Sequence, residues 1–148
     1  MKKFIVFMFI VCVNLFGSEL VLQKSFKDAV IQADMTQKPI MFIVSSHTCR
    51  YCNILERDTL SKPEVIKALK KSFITYIAYI DDGDSFPEEF WRPATPTIWF
   101  LDDNGKAMSE PIMGAVDEKN FLKVLDTVEK GFNKQKKLEQ FNYTKSKL

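Results

Sequence analysis

The sequence of 148 residues has little excess charge and few cysteines and histidines. It contains three cysteines and one histidine, and 21 lysines and arginines stand against 19 acidic residues, so the net charge is +2. Lys2 and Lys3 belong to a segment expected to be removed, which leaves the remainder close to neutral. Bulk charge therefore gives no reason to expect a nucleic acid as partner. The apolar fraction of 46% excludes disorder throughout, and the length fits one domain.

The N-terminal segment 1–18 has the layout of a secretory signal peptide. Two lysines precede an almost unbroken apolar run from Phe4 to Phe16, and two small residues, Gly17 and Ser18, follow it. The run is shorter than the ~20 residues that cross a bilayer. An uncleaved membrane anchor is the alternative. We expect cleavage near residues 17–18 and a mature protein that is periplasmic or otherwise exported.

The cysteine pair of the mature chain is the candidate reactive site. Removal of the signal segment takes Cys12 with it and leaves only Cys49 and Cys52. A disulfide between them would close a very small loop and restrict the unfolded chain little. The pair is therefore better explained as a reactive site than as a structural disulfide. Export places it where disulfides form and persist.

Apolar runs and capping residues predict an α/β fold around this pair. Four runs of strand length are expected in the sheet, over 40–45, 73–80, 98–101 and about 107–113. Helices are expected from Ser25, over about 53–60, from a cap at Ser61, over 86–91, and from a cap at Asp117 with an apolar face of Phe121, Leu125, Val128 and Phe132. The strand–helix–strand order over 40–80 makes the first two strands parallel. The lysine-rich tail 134–148 is expected to be solvated or frayed.

The order of motifs resembles the thioredoxin family. An apolar strand leads into Cys49 and Cys52 at the start of a helix, Thr95-Pro96-Thr97 precedes a later strand, and Gly114 follows a hairpin. The resemblance implies a thioredoxin-like fold over residues 19–133, with a central mixed sheet of about four strands flanked by helices. It also implies that Pro96 is cis and faces the cysteines, so that Thr95 and Pro96 form the edge against which a substrate pairs.

Thiol–disulfide exchange is the chemistry expected of the pair. Cys49 would lie at a helix N-terminus, where unpaired N–H groups favour a thiolate. The adjacent Arg50 and the nearby His47 would add positive charge and tune its pKa. Cys49 is thus the predicted nucleophile and Cys52 the resolving thiol. Tyr51, inside the motif, is expected to be exposed and able to contact a substrate.

Three departures from the thioredoxin pattern leave the direction of the reaction open. Thr48 stands where thioredoxins carry a tryptophan, and Arg50-Tyr51 replaces the Gly-Pro between the cysteines. Ile43 occupies the strand position of a buried acid, which fits divergent exported members better than a general reductase. Reduction, oxidation and isomerisation all remain open.

Two other functions compete with exchange. His47, Cys49 and Cys52 could hold Cu(I) or Zn(II) in a metal carrier, although the mature chain offers no fourth cysteine or histidine. A redox-inert binding module on the same fold is the second. Haem attachment is excluded because Asn53, not histidine, follows Cys52.

The partners expected for an exchange enzyme are cysteine-containing protein substrates and a redox-recycling partner in the cell envelope. We expect a monomer that uses no cofactor beyond a redox-active Cys49–Cys52 disulfide and holds no metal. No nucleic acid is expected, and a membrane contact is expected only through an uncleaved signal segment.

Overall fold

A mixed sheet of four strands forms the centre of the molecule. The computed structural model describes residues 19–147. The strands are β1 (Ile40–Ser45), β2 (Ile74–Tyr79), β3 (Thr97–Leu101) and β4 (Ile112–Met113). They lie in the order β2-β1-β3-β4, with β1 parallel to β2 and antiparallel to β3, and with β3 antiparallel to β4. The predicted α/β class and mixed sheet are confirmed.

Helices cover both faces of the sheet. They are α1 (Phe26–Thr36), α2 (Arg50–Leu55), α3 (Pro63–Ser72) and α4 (Glu118–Ser146), with a π-helical segment (Glu56–Leu60) after α2 and 3₁₀ turns at Ile80–Asp82 and Glu88–Phe90. Ser25 caps α1 as predicted, because its hydroxyl accepts a hydrogen bond from the Asp28 N–H at 3.1 Å. The helix predicted over 86–91 is a single 3₁₀ turn.

Strand β1 is buried on both faces, which explains its continuous apolar run. Met41 and Ile43 point into a core that also contains buried residues of α2, α3 and α4. Phe42 points the other way and packs in a second core with Ala29 and Ala33 of α1. The strand that leads to the cysteine pair is therefore fixed from both sides.

The start of α3 differs from the prediction. The sequence predicts Ser61 as the cap, but Lys62 occupies the cap position, Pro63 is the first helical residue, and no side chain caps the helix. The π-helical segment Glu56–Leu60 continues directly from α2. Instead of capping α3, the Ser61 hydroxyl donates a hydrogen bond to the Arg57 carbonyl of the π-helical segment.

Strand β4 is shorter than the predicted 107–113. Only Ile112–Met113 pairs with β3, and Ala107 makes an isolated bridge to Leu101. Between them lies Pro111, which has no N–H to donate to a neighbouring strand.

Helix α4 is longer than the sequence indicates. Asp117 caps it as predicted, accepting a hydrogen bond from the Asn120 N–H at 3.0 Å. Three residues of the expected apolar face are buried, namely Phe121, Leu125 and Phe132, and the fourth, Val128, is partly buried. The tail expected to be solvated or frayed continues the helix to Ser146, since residues 134–146 contain neither glycine nor proline. Its side chains are largely exposed.

The predicted signal segment 1–18 and its cleavage position lie outside the described residues. The boundary predicted at residue 133 falls inside α4, and the division into a domain of 19–133 and a tail stays a prediction. Between residues 19 and 147, no helix combines the length and the apolar character needed to cross a bilayer.

Candidate active site

The two cysteines lie where β1 passes into α2. Cys49 is the cap residue of α2, and its sulfur accepts a hydrogen bond from the backbone N–H of Cys52 at 3.3 Å. Cys52 follows in the first turn and is fully buried, whereas Cys49 is partly exposed. Both are free thiols. The pair therefore has one sulfur that a partner can reach and one that lies beneath it.

Thr95 and Pro96 face the exposed sulfur across the sheet edge. The Cys49 thiol lies 3.3 Å from the carbonyl oxygen of Thr95, and the Thr95–Pro96 peptide bond is cis, as the sequence resemblance implies. Strand register causes this proximity, because Val44 near the end of β1 pairs with Thr97 at the start of β3.

The surroundings of the two thiols shift their pKa values in opposite directions. Burial alone would raise the pKa of Cys49, but hydrogen bonds with the Cys52 thiol, with Thr95 and with the N–H groups of Cys52 and Tyr51 outweigh it, so the pKa is lowered. Burial raises the pKa of Cys52, and its hydrogen bond with Cys49 raises it further. Cys49 is thus the thiol that ionises more easily.

Comparison with known proteins agrees with this geometry. A model of the family described as a thioredoxin-like domain matches residues 26–129. The chain belongs to the thioredoxin-like family. No curated protein gives a significant match.

Solved structures share the fold of this thioredoxin-like protein. A thioredoxin from Thermus thermophilus is 25% identical over 74% of this chain and 88% of its own, with a TM-score of 0.61. A protein named DsbH Oxidoreductase is 16% identical over 76% of this chain and 85% of its own, with a TM-score of 0.61. The reduced C-terminal domain of Neisseria meningitidis DsbD is 23% identical over 68% of this chain and 91% of its own, with a TM-score of 0.54.

One carboxylate holds the loop that leads to Cys49 in this thioredoxin-like protein, and its residue was predicted only as part of a turn. Asp81 accepts hydrogen bonds from the Ser46 hydroxyl at 2.9 Å and from the N–H groups of His47 at 3.3 Å and Thr48 at 3.4 Å. The available signal was its position two residues after the end of β2, because the carboxyl ends of parallel β1 and β2 meet at one edge.

The side chain of His47 has partners other than the Cys49 thiol. The His47 imidazole lies 2.9 Å from Asp82 through its Nε2 atom and stacks on Tyr79 with ring centroids 4.1 Å apart. Among the described residues, neither His47 nor Arg50 donates a side-chain hydrogen bond to Cys49. Their predicted roles in tuning the thiol stay predictions.

Tyr51 is exposed as expected, with 60% of its surface accessible. A shallow groove runs beside Thr95 and is lined by Ile80 and Trp91, which are also about half exposed. Exposed apolar side chains therefore lie beside Thr95, whose carbonyl is next to the Cys49 sulfur. The assignment of Thr95, Pro96 and Tyr51 to substrate binding stays a prediction.

The geometry of the site gives little support to the alternative that the protein carries a metal ion. In the part of the chain that the structure describes, no group of three or more His, Cys, Asp or Glu side chains is arranged to hold a metal ion. The imidazole that would complete a set with Cys49 and Cys52 is bonded to Asp82.

Proposed function

We propose that this protein exchanges disulfides with exported protein substrates through Cys49 and Cys52. The Cys49 thiolate attacks a substrate disulfide to give a mixed disulfide, and Cys52 then attacks the Cys49 sulfur and releases the substrate thiol. The asymmetry of the pair carries this proposal: one sulfur is reachable with a lowered pKa, and the other is buried with a raised pKa.

The likeness to a thioredoxin at 25% identity supports the reaction class. The signal-like segment 1–18 supports a location in the periplasm or elsewhere outside the cytoplasm. The protein acts there as a monomer, takes cysteine-containing proteins as substrates, and is returned to its starting redox state by a recycling partner in the cell envelope. It needs no cofactor beyond its own Cys49–Cys52 pair.

Substrates approach along Thr95 and Pro96. The Thr95 carbonyl lies against the Cys49 sulfur, so a substrate segment that reaches this sulfur passes beside it. The exposed side chains of Tyr51, Ile80 and Trp91 offer apolar contacts around that path.

Redox titration tests this function. The purified protein is equilibrated in buffers of reduced and oxidised glutathione, free thiols are trapped by alkylation, and the fraction of the oxidised pair is read by mass spectrometry. We expect reversible cycling between the dithiol and the Cys49–Cys52 disulfide. A midpoint near the potential of thioredoxin indicates a reductant, and a much more positive one indicates an oxidant.

A second arm adds Cu(I) or Zn(II) to the reduced protein. Cycling of the pair with weak metal binding supports exchange. Failure of the pair to cycle, together with tight stoichiometric binding, would replace exchange with metal carriage through His47, Cys49 and Cys52.

A further inference from the structure

The C-terminal part of α4 differs in charge from the domain that it leaves. Residues 134–147 contain five lysines and one glutamate, so their net charge is +4. Residues 19–133 contain 14 lysines and arginines and 18 acidic residues, so their net charge is −4. The near-neutral total therefore conceals two segments of opposite charge. We call residues 134–147 the basic tail, and a segment of this kind favours an anionic partner.

One side of the basic tail is held to the domain by an ion pair. Lys136 donates a hydrogen bond to Asp103 at 2.8 Å, and the Asp103 side chain is only 3% exposed. Lys136 follows the buried Phe132 by four residues and therefore lies on the same side of the helix. This pair fixes the start of the tail against the domain.

The opposite side of the basic tail is exposed. Lys134 lies two residues from both Phe132 and Lys136, which places it across the helix from them. Helical spacing groups three lysines and two apolar residues on this side, all of them exposed: Lys134, Lys137, Leu138, Phe141 and Lys145. We call these five residues the outer face. Within residues 19–147, none of its lysines takes part in an ion pair.

The composition of the outer face fits the surface of a bilayer with anionic headgroups. Lysines are attracted to anionic lipids, and leucine and phenylalanine side chains between them lie at the level of the headgroups. Two apolar side chains are too few to bury the helix deeply, so charge attraction supplies most of the binding. The same surface repels the negative charge of residues 19–133, which orients the molecule with its tail towards the lipid.

We propose that the basic tail docks this protein on an anionic lipid surface through the outer face. This contact goes beyond disulfide exchange and does not depend on it. It also differs from the predicted signal segment 1–18, because it is a surface contact that salt reverses.

The tail is attached at the end of the sheet remote from the reactive cysteine. Strand β1 begins at Ile40, which pairs with Leu101, and leads at its other end to Cys49. Asp103, which binds Lys136, comes two residues after Leu101. Lipid bound to the tail therefore leaves Cys49 accessible to its partners.

Co-sedimentation with vesicles tests this contact. The protein is purified without segment 1–18, as the predicted cleavage leaves it, so that the apolar run 4–16 contributes nothing. It is mixed with vesicles of phosphatidylcholine alone or with about a third of anionic phosphatidylglycerol, at low and high salt. We expect binding to the anionic vesicles at low salt and release at high salt. Binding that is independent of lipid charge, or no binding to either vesicle, overturns the proposal.

The three lysines of the outer face are tested together. The triple variant Lys134→Gln, Lys137→Gln, Lys145→Gln should bind the anionic vesicles about 100-fold more weakly, since each lysine near such a surface contributes about 5-fold. Arginine at the same three positions should preserve binding, because the charge is kept. Loss of binding with arginine would indicate a structural effect and overturn the proposed charge contact.

The matched control removes the same charge from exposed lysines of the domain. The triple variant Lys67→Gln, Lys119→Gln, Lys123→Gln replaces side chains that lie outside the basic tail. It should change the affinity by less than about 3-fold, because salt screens charges that do not touch the lipid. A loss equal to that of the tail variant would mean that net charge governs binding, and would overturn the role of the outer face.

Two aromatic residues test which side of the helix meets the lipid. Phe141 is 65% exposed on the outer face, whereas Tyr143 is 62% exposed and has the ammonium group of Lys147 over its ring at 4.5 Å. Phe141→Ala should weaken binding by about 10-fold, and Tyr143→Ala should leave it unchanged. Equal weakening by the two variants would overturn the assignment of the outer face.

A second copy of the chain is the competing occupant, because the positive tail also complements the negative domain. Sedimentation without lipid decides between them. A monomer at low salt supports the lipid contact, and a dimer that dissociates at high salt overturns it. Redox cycling in glutathione buffers should be the same in every variant. Failure to bind vesicles with normal cycling contradicts only the docking, whereas a wild-type protein that binds vesicles and does not cycle contradicts only the exchange function.

Discussion

The sulfur of Cys49 and the carbonyl oxygen of Thr95 lie 3.3 Å apart. Residues 46 positions apart in the chain meet because β1 and β3 are antiparallel neighbours, with Val44 opposite Thr97. Under the proposed function, a substrate sulfur that reacts with Cys49 approaches beside Thr95. The sheet thus positions the Cys49 sulfur against the edge that carries Thr95.

The opposite pKa shifts of the two thiols predict different pH profiles for their alkylation. With iodoacetamide, the Cys52→Ser variant reports on Cys49 and the Cys49→Ser variant on Cys52. We expect a lower pH midpoint for Cys49, because hydrogen bonds favour its thiolate, while burial disfavours that of Cys52. In urea both midpoints should coincide. A folded Cys52 that ionises at lower pH than Cys49 would reverse the assigned roles.

The ion pair between His47 and Asp82 predicts a raised histidine pKa. The Asp82 hydrogen bond favours the imidazolium, so the NMR titration midpoint of the single histidine should lie above its ordinary value of 6.5. The linked stability is fully present below pH 6.5 and is lost as the pH rises through the raised pKa. Asp82→Asn should lower the midpoint, and Glu64→Gln should not. A wild-type midpoint at or below 6.5 would exclude the pair in solution.

Two phenylalanines of α4 provide a matched test of the core. Phe121 is fully buried, whereas Phe141 is 65% exposed in the helical tail. Phe121→Ala should lower the free energy of unfolding by about 3–5 kcal/mol, because it leaves a cavity. Phe141→Ala should change it by no more than about 0.5 kcal/mol. Urea denaturation measures both values, and equal losses would mean that the tail packs against the domain in solution.

The architecture of the site could be predicted because it depends on local patterns. A continuous apolar run identified β1, the cysteine spacing marked the start of α2, and the Thr95-Pro96-Thr97 motif marked the edge opposite them. The structure places these three features together. Short sequence motifs therefore sufficed for the cysteine pair, and the resemblance to the thioredoxin family supplied the edge that faces it.

The groups that surround the pair could not be predicted in the same way. Asp81 and Glu56 accept hydrogen bonds from Ser46 and Ser45, and these bonds require their side chains to point in particular directions. Those directions depend on the register of β1 with β2 and on the π-helical segment after α2. Glu56 appeared in the sequence only as a polar residue following the motif. The continuation of α4 to Ser146 was missed because that segment lacks an apolar face that would mark it as helix.

Covalent trapping with oxidised glutathione tests the central assignment most directly. The reduced Cys52→Ser and Cys49→Ser variants are incubated with the disulfide at neutral pH and followed by mass spectrometry. We predict that Cys52→Ser accumulates a stable adduct with one glutathione on Cys49 and that Cys49→Ser stays unmodified over the same period. The wild-type protein should pass through the adduct to the Cys49–Cys52 disulfide. Equal adduct formation by both single variants would contradict the division into nucleophile and resolving thiol.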